Sequence, residues 1–164
     1  MTGRRFYWLA VTIWAACLVV EWFVLPDLVP LHFGADGTPD RWGTPTRAVL
    51  EMGAVGIGVG VLFFALAMSA WRLPFSMVTL PDQDFWERPE NQRVARRRLQ
   101  DDMYHLGALV MLLLAAVSVL TMVVAEDPTP SLWPWGLLLL ALFVVGFVVA
   151  TVLRMRFYKR LPGE

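Results

Sequence analysis

The stretch WGLLLLALFVVGFVVATVL, residues 135–153, holds no charged side chain and no proline, and it decides the fold. At about 1.5 Å of rise per residue, a helix of this length crosses the roughly 30 Å hydrocarbon core of a bilayer. Three further apolar runs lie upstream. Residues 6–25 carry Thr12 and Glu21 as their strongly polar members, residues 48–71 are broken by Glu51 and Ser69, and residues 104–125 have His105 near their start. The runs are continuous rather than alternating, so they do not read as barrel strands. In lipid each segment must satisfy its own backbone hydrogen bonds, which predicts helices. The expected fold is an all-α integral membrane protein, a single domain over residues 1–164. It is a bundle of four transmembrane helices with a structured outer loop at 26–47 and a juxtamembrane helix in a cytoplasmic loop at 72–103.

Composition agrees. Hydrophobic residues make up 57% of the chain and charged ones 17%, with a mean hydropathy of +0.56. Soluble domains average roughly 45–50% and about 25%. A domain this small cannot hide so much apolar surface from water, and disorder requires the opposite bias. The 14 Lys+Arg balance the 14 Asp+Glu, so no net field recruits nucleic acid, and none is expected as a partner. Cys17 is the one cysteine, which excludes an internal disulfide and a multi-cysteine metal site.

Basic residues set an expected orientation. Arg4 and Arg5 precede the first run, Arg72, Arg88, Arg93, Arg96, Arg97 and Arg98 lie in the second loop, and Arg154, Arg156, Lys159 and Arg160 end the chain. On the other side stand Arg41 and Arg47 in the first loop, and the third loop, 126–134, has no Lys or Arg. The positive-inside rule then places both termini and the second loop of a multi-pass protein in the cytoplasm. Tyr7, Trp8, Trp71, Tyr104 and Tyr158 fall at the expected inner interface and Trp22, Trp133 and Trp135 at the outer one, the depth that amphipathic rings prefer. The first run resembles a secretory signal, but it is long and no A-x-A site follows, so it is expected to remain as an anchor.

Lipid offers no hydrophobic drive for helix association, so small residues mark the packing faces. Gly53, Gly56 and Gly60 share one face of the second run, and Gly146 with Ala150 offers the same spacing in the fourth. The expectation is packing within the bundle, with a homodimer through the second run's glycine face as the alternative.

The outer loop is rich in Pro26, Pro30, Gly34, Gly37, Pro39, Gly43 and Pro45, which predicts a structured set of turns, with Asp36-Gly37 as the strongest. Phe33 and Trp42 are expected to pack over the turn. His32, Asp36, Asp40, Arg41 and Trp42 are the candidate ligand-binding residues, since long loops with specific turn chemistry often carry function. His32, Asp36 and Asp40 do not form a calcium-loop pattern and are too few for zinc; no metal and no cofactor is expected. Glu21 and Glu51 fall one turn from the ends of their runs, near the outer interface at similar depth. Arg47, four residues before Glu51, is its expected partner. Glu21, Arg47 and Glu51 form a candidate polar pocket, because ionisable groups within spans are costly and usually paired or functional.

In the cytoplasmic loop Pro89 suits the first position of a helix that continues toward the third span. Arg97 with Asp101 and Arg98 with Asp102 have i,i+4 spacing. Arg93, Arg96 and Arg97 share a face suited to anionic headgroups. Phe85 and Trp86 are expected to anchor the loop at the interface.

Two of these stretches carry a resemblance. Pro26 through His32-Phe33 and on through Gly37-x-Pro39-Asp40-x-Trp42 resembles the signature of a bacterial membrane domain of unknown function, shared with the immunity proteins against the sporulation-delaying-protein toxin (the SdpI-like group). The motif Pro81-Asp82-x-Asp84-Phe85-Trp86, followed by Pro89-Glu90, resembles the cytoplasmic motif of the four-span members, although Asp82 and Phe85 stand where members often carry Asn and Tyr. The resemblance implies a cell-membrane protein with a four-helix core and, for the immunity branch, toxin resistance and signalling through a cytoplasmic partner. No nucleophile–base–orienter set is visible, so an enzyme is not expected. The expected role is sensing or binding of a peptide or amphiphile at the outer face, of the immunity or signalling type. The alternatives are a small transporter with Glu21 and Glu51 along a polar path, and an accessory subunit of a larger membrane complex.

Overall fold

The computed structural model describes residues 2–159, without the side chains of Phe157 and Lys159. Arg160, one of the basic residues of the tail, lies outside the described residues. The elements run in the order α1 (Gly3–Val24), β1 (Val29–Phe33), β2 (Pro39–Gly43), α2 (Pro45–Ser69), a 3₁₀ turn at Phe75–Met77, α3 (Gln83–Trp86), α4 (Pro89–Ala125) and α5 (Trp135–Lys159). Four helices are long and apolar enough to cross a membrane: α1, α2, α4 and α5.

Local chemistry sets the boundaries. Pro26 follows the C-cap Leu25 of α1 and disfavours continuation. Pro45 opens α2, and the Thr44 hydroxyl accepts from the backbone N–H of Arg47 at 3.3 Å, the usual N-cap arrangement. Pro89 opens α4 as expected. Nothing interrupts α4 for 37 residues, about 55 Å by helical rise, so juxtamembrane helix and third span are one rod.

The core forms where α1 and α2 pack on α4. Tyr7, Ala10 and Trp14 of α1, Ala67 of α2, and Tyr104, Ala108, Met111 and Ala115 of α4 make one buried cluster. The alanines let the helices approach closely, the main source of packing energy in lipid. The Tyr7 hydroxyl donates to the carbonyl of Gly60 at 2.5 Å, tying α1 to α2. The backbone N–H of Gly3 donates to Asp101 Oδ1 at 2.8 Å, tying α1 to α4.

The glycine expectations divide. A Cβ on Gly56 would lie 2.0 Å from Trp14 Cζ2, and one on Gly60 3.4 Å from the Tyr7 hydroxyl, whereas Gly53 has only Leu18 at 3.8 Å. The glycine face of α2 is therefore filled by α1 of the same chain. Gly146 is corrected: no described atom lies within 4 Å of a Cβ built there. The spanning stretch of α5 buries none of its residues, so Gly146 does not pack within the bundle. Instead α5 is held near its C-terminal end, where Arg154 Nη1 donates to Asp102 Oδ1 at 2.5 Å and the Tyr158 hydroxyl donates to Asp102 Oδ2 at 2.6 Å.

The second loop departs from expectation in three places. Trp86 is 0% exposed, in a cluster with Phe75, Ala95 and Tyr158; it is a core residue rather than an interfacial anchor. Asp101 and Asp102 reach across to α1 and α5. Arg96 does not face headgroups. Its Nη1 donates to the carbonyls of Ala70 and Leu73 at 2.7 and 2.9 Å, closing the end of α2, and its guanidinium stands 5.7 Å from the Phe75 ring.

Candidate functional site

The first loop is more ordered than a set of turns. Val29–Phe33 and Pro39–Gly43 pair as an antiparallel hairpin, with Val29 opposite Gly43, Pro30 opposite Trp42, His32 opposite Arg41 and Phe33 opposite Pro39. Both prolines are tolerated because each strand is an edge. The tip closes through Gly34 N–H to the Thr38 carbonyl at 2.8 Å and Gly37 N–H to the Gly34 carbonyl at 2.9 Å. Gly37 takes φ +79°, open to glycine at no steric cost. Trp133 lies over it, with Cδ1 1.7 Å from where a Cβ would stand, and Leu132 N–H donates to its carbonyl at 3.0 Å. The residue covering the tip is thus Trp133 of the third loop. Trp42, expected in that role, remains 42% exposed.

The candidate polar residues of the loop are mostly engaged with one another. His32 Nδ1 and Asp40 Oδ1 are 2.7 Å apart. Asp36 accepts from the Thr38 amide at 3.1 Å and the Thr38 hydroxyl at 2.8 Å, an Asx-turn of the expected kind. Those bonds hold the Asp36 carboxyl below its ordinary value, the hydroxyl contributing most. The turn is therefore reinforced above the ordinary carboxylate range and loses that support as pH falls through the lowered value. Thr38→Val should move the Asp36 titration upward, toward an ordinary aspartate, in a carbon-detected NMR titration. Among the described residues, no three His, Cys, Asp or Glu side chains converge as a metal site would require.

Beneath the hairpin the two span carboxylates meet opposite fates. Glu51 is held by Arg47 Nε at 2.8 Å, as the spacing predicts, and also by both terminal nitrogens of Arg41 at 3.3 and 2.9 Å. The Arg41 contact was not legible in the sequence, because it needs β2 to fold back over the start of α2. Glu21 has no such clamp. It is 2% exposed, and its Oε2 has no hydrogen-bond partner among the described residues. Ser118 of α4 interacts with it electrostatically, although neither Glu21 Oε2 nor the Ser118 hydroxyl meets hydrogen-bond geometry among the described residues. Ser118 was missed as a site residue, since a serine on the small-residue face of a span reads as packing.

Glu21 and Glu51 line one cavity of about 240 Å³, with Pro30 and Leu31 of the hairpin, Ala48, Met52 and Val55 of α2, and Leu114 and Thr121 of α4. Of the three residues grouped by sequence, Glu21 and Glu51 line the cavity, and Arg47 is bonded to Glu51 without lining it. His32, Asp36 and Asp40 do not line it. At the other end, Asp82 takes a left-handed conformation at φ 57° and precedes the four-residue α3, whose Asp84 is exposed and whose Trp86 is buried; Pro81 lines a separate cleft.

Four membrane-length helices define a multi-pass helical membrane protein, here with a hairpin over a small, mostly apolar cavity that two carboxylates line. Residues 8–57 match the family DUF1648, described as a domain of unknown function. The matched segment runs from α1 through the hairpin into α2, so it contains Glu21, the hairpin and the Arg41–Glu51–Arg47 clamp, while Ser118 lies outside it. No curated protein and no solved structure matches the chain.

Proposed function

We infer that this is a non-enzymatic binding protein of the bacterial cell membrane, with both termini in the cytoplasm, which captures a cationic group of a peptide or amphiphile beneath its outer hairpin. One observation carries the reading: Glu21, nearly inaccessible, places an unpaired carboxylate oxygen at the edge of a cavity. The charge of Glu51 is already matched by two arginines. Glu21 is the unmatched acid, and such a group in a low-dielectric setting is costly until a partner arrives. At about 240 Å³, the cavity is below the roughly 300–1,000 Å³ of complete small-molecule pockets. It suits one amine-bearing group, with the rest of the ligand lying along the hairpin and the membrane surface. The likeness to the immunity proteins against a peptide toxin points the same way, toward sensing or protection.

A permeation path is less well supported. Two turns further along α1 from Glu21, Trp14 fills the bundle interior against Gly56, and no polar route continues past it among the described residues.

The test is binding by the full chain reconstituted in phosphatidylcholine nanodiscs. Dodecyltrimethylammonium should bind saturably, and neutral dodecyl maltoside should not. Glu21→Gln should weaken the cationic probe at least tenfold, while Asp36→Asn leaves it unchanged. Equal binding of both amphiphiles, or an unchanged affinity in Glu21→Gln, would overturn the reading.

A further inference from the structure

A second cavity lies at the opposite end of α4 and is independent of the hairpin site. It is a cleft of about 510 Å³ between α4 and α5, walled by Leu106, Leu109, Ala150 and Met155, with Asp102 and Arg154 at its polar end. Residues 79–81 of the second loop also line it. Leu109 and Ala150 belong to the apolar spans, whereas Asp102 and Arg154 stand just beyond them. The cleft therefore straddles the hydrocarbon boundary, with an apolar body inside and a charged head outside.

We propose that this cleft is a phospholipid site: acyl chain between α4 and α5, phosphate against Arg154. The polar end favours an anion. Both oxygens of Asp102 are already occupied, one by Arg154 and one by the Tyr158 hydroxyl. Asp102 is thus satisfied, while the guanidinium of Arg154 spends one N–H on it and is about one-third exposed, with a side-chain accessibility of 34%. Its planar fork has five N–H groups suited to phosphate oxygens. From Leu99 to Leu109 the cleft follows α4 for about 15 Å, a path that an extended acyl chain can fill. The weak packing of α5 over its span leaves that space to the lipid, which bridges the two helices.

The full chain, purified in mild detergent after exposure to vesicles of equal phosphatidylglycerol and phosphatidylethanolamine, is read by native mass spectrometry. One phospholipid per chain should survive washing. Ala150→Trp fills the cleft and should reduce retention at least tenfold. Val148→Trp, on the same helix but exposed and outside the cleft lining, should retain the lipid and report that α5 tolerates an indole. Arg154→Gln should lose the preference for phospholipid over diacylglycerol. Full retention in Ala150→Trp, equal retention of diacylglycerol by the parent chain, or no retained lipid in the parent would each overturn the proposal.

Discussion

Glu21→Met should unfold with more difficulty than the parent chain. A buried polar group without a partner costs about 1–3 kcal/mol, and Glu21 Oε2 is such a group, at 2% residue exposure and beside an equally unpaired Ser118 hydroxyl. Methionine is similar in length and flexible enough to fill the space against Leu114 and Met52. The gain of about 1–3 kcal/mol should appear in denaturant unfolding followed by tryptophan fluorescence, together with loss of cationic-amphiphile binding. Stability exchanged for function in this way marks a site kept strained for its ligand. The opposite outcome, a chain weakened by the same substitution, would mean that the carboxylate is a structural tie to α4, and binding would need another anchor. Ser118→Ala separates the two cases: it should be neutral or stabilising if neither group is bonded in the unliganded chain.

The second large effect falls on Gly56. A methyl group there would stand 2.0 Å from Trp14 Cζ2 and 2.3 Å from Cε2, and the indole cannot yield easily because it is buried in the central cluster. Overpacking of this kind costs about 1–3 kcal/mol, sometimes more. Gly56→Ala should therefore lower the free energy of unfolding by that amount, while Gly58→Ala, two residues away with open space around it, should not. Trp14→Phe in the Gly56→Ala background should recover part of the loss, since a smaller ring frees the volume that the methyl group takes. A failure of Gly56→Ala to destabilise would mean that α1 and α2 do not meet at this glycine.

The parts legible in the sequence are those fixed by short-range chemistry. Continuous apolarity over residues 6–25, 48–71, 104–125 and 135–153 marked the spanning helices, because in lipid no other backbone arrangement satisfies such runs. Arg47 and Glu51 were legible as a pair because one helical turn separates them. What remained hidden depended on segments far apart in the chain. Glu21 and Glu51 looked equivalent by depth, and only the folded hairpin showed that Arg41 reaches Glu51 and that Glu21 is left alone. Trp86 read as an interfacial aromatic because its burial depends on Tyr158 arriving from the end of α5. Gly146 read as a contact because a G-x-x-x-A spacing looks the same whether it faces a helix or lipid. The hairpin was half legible: Asp36-Gly37 marked the turn, but the prolines in both flanking stretches masked the strands.

The continuity of α4 has a mechanical side. Ser118, beside the buried acid, and Arg97, at the far end, belong to one rod with no proline between them. They are about 30 Å apart along its axis, so pivoting the rod by 5° at Ser118 swings Arg97 sideways by about 3 Å. Any tilt of α4 at the Ser118 end would thus be carried undiminished to its arginine-bearing end.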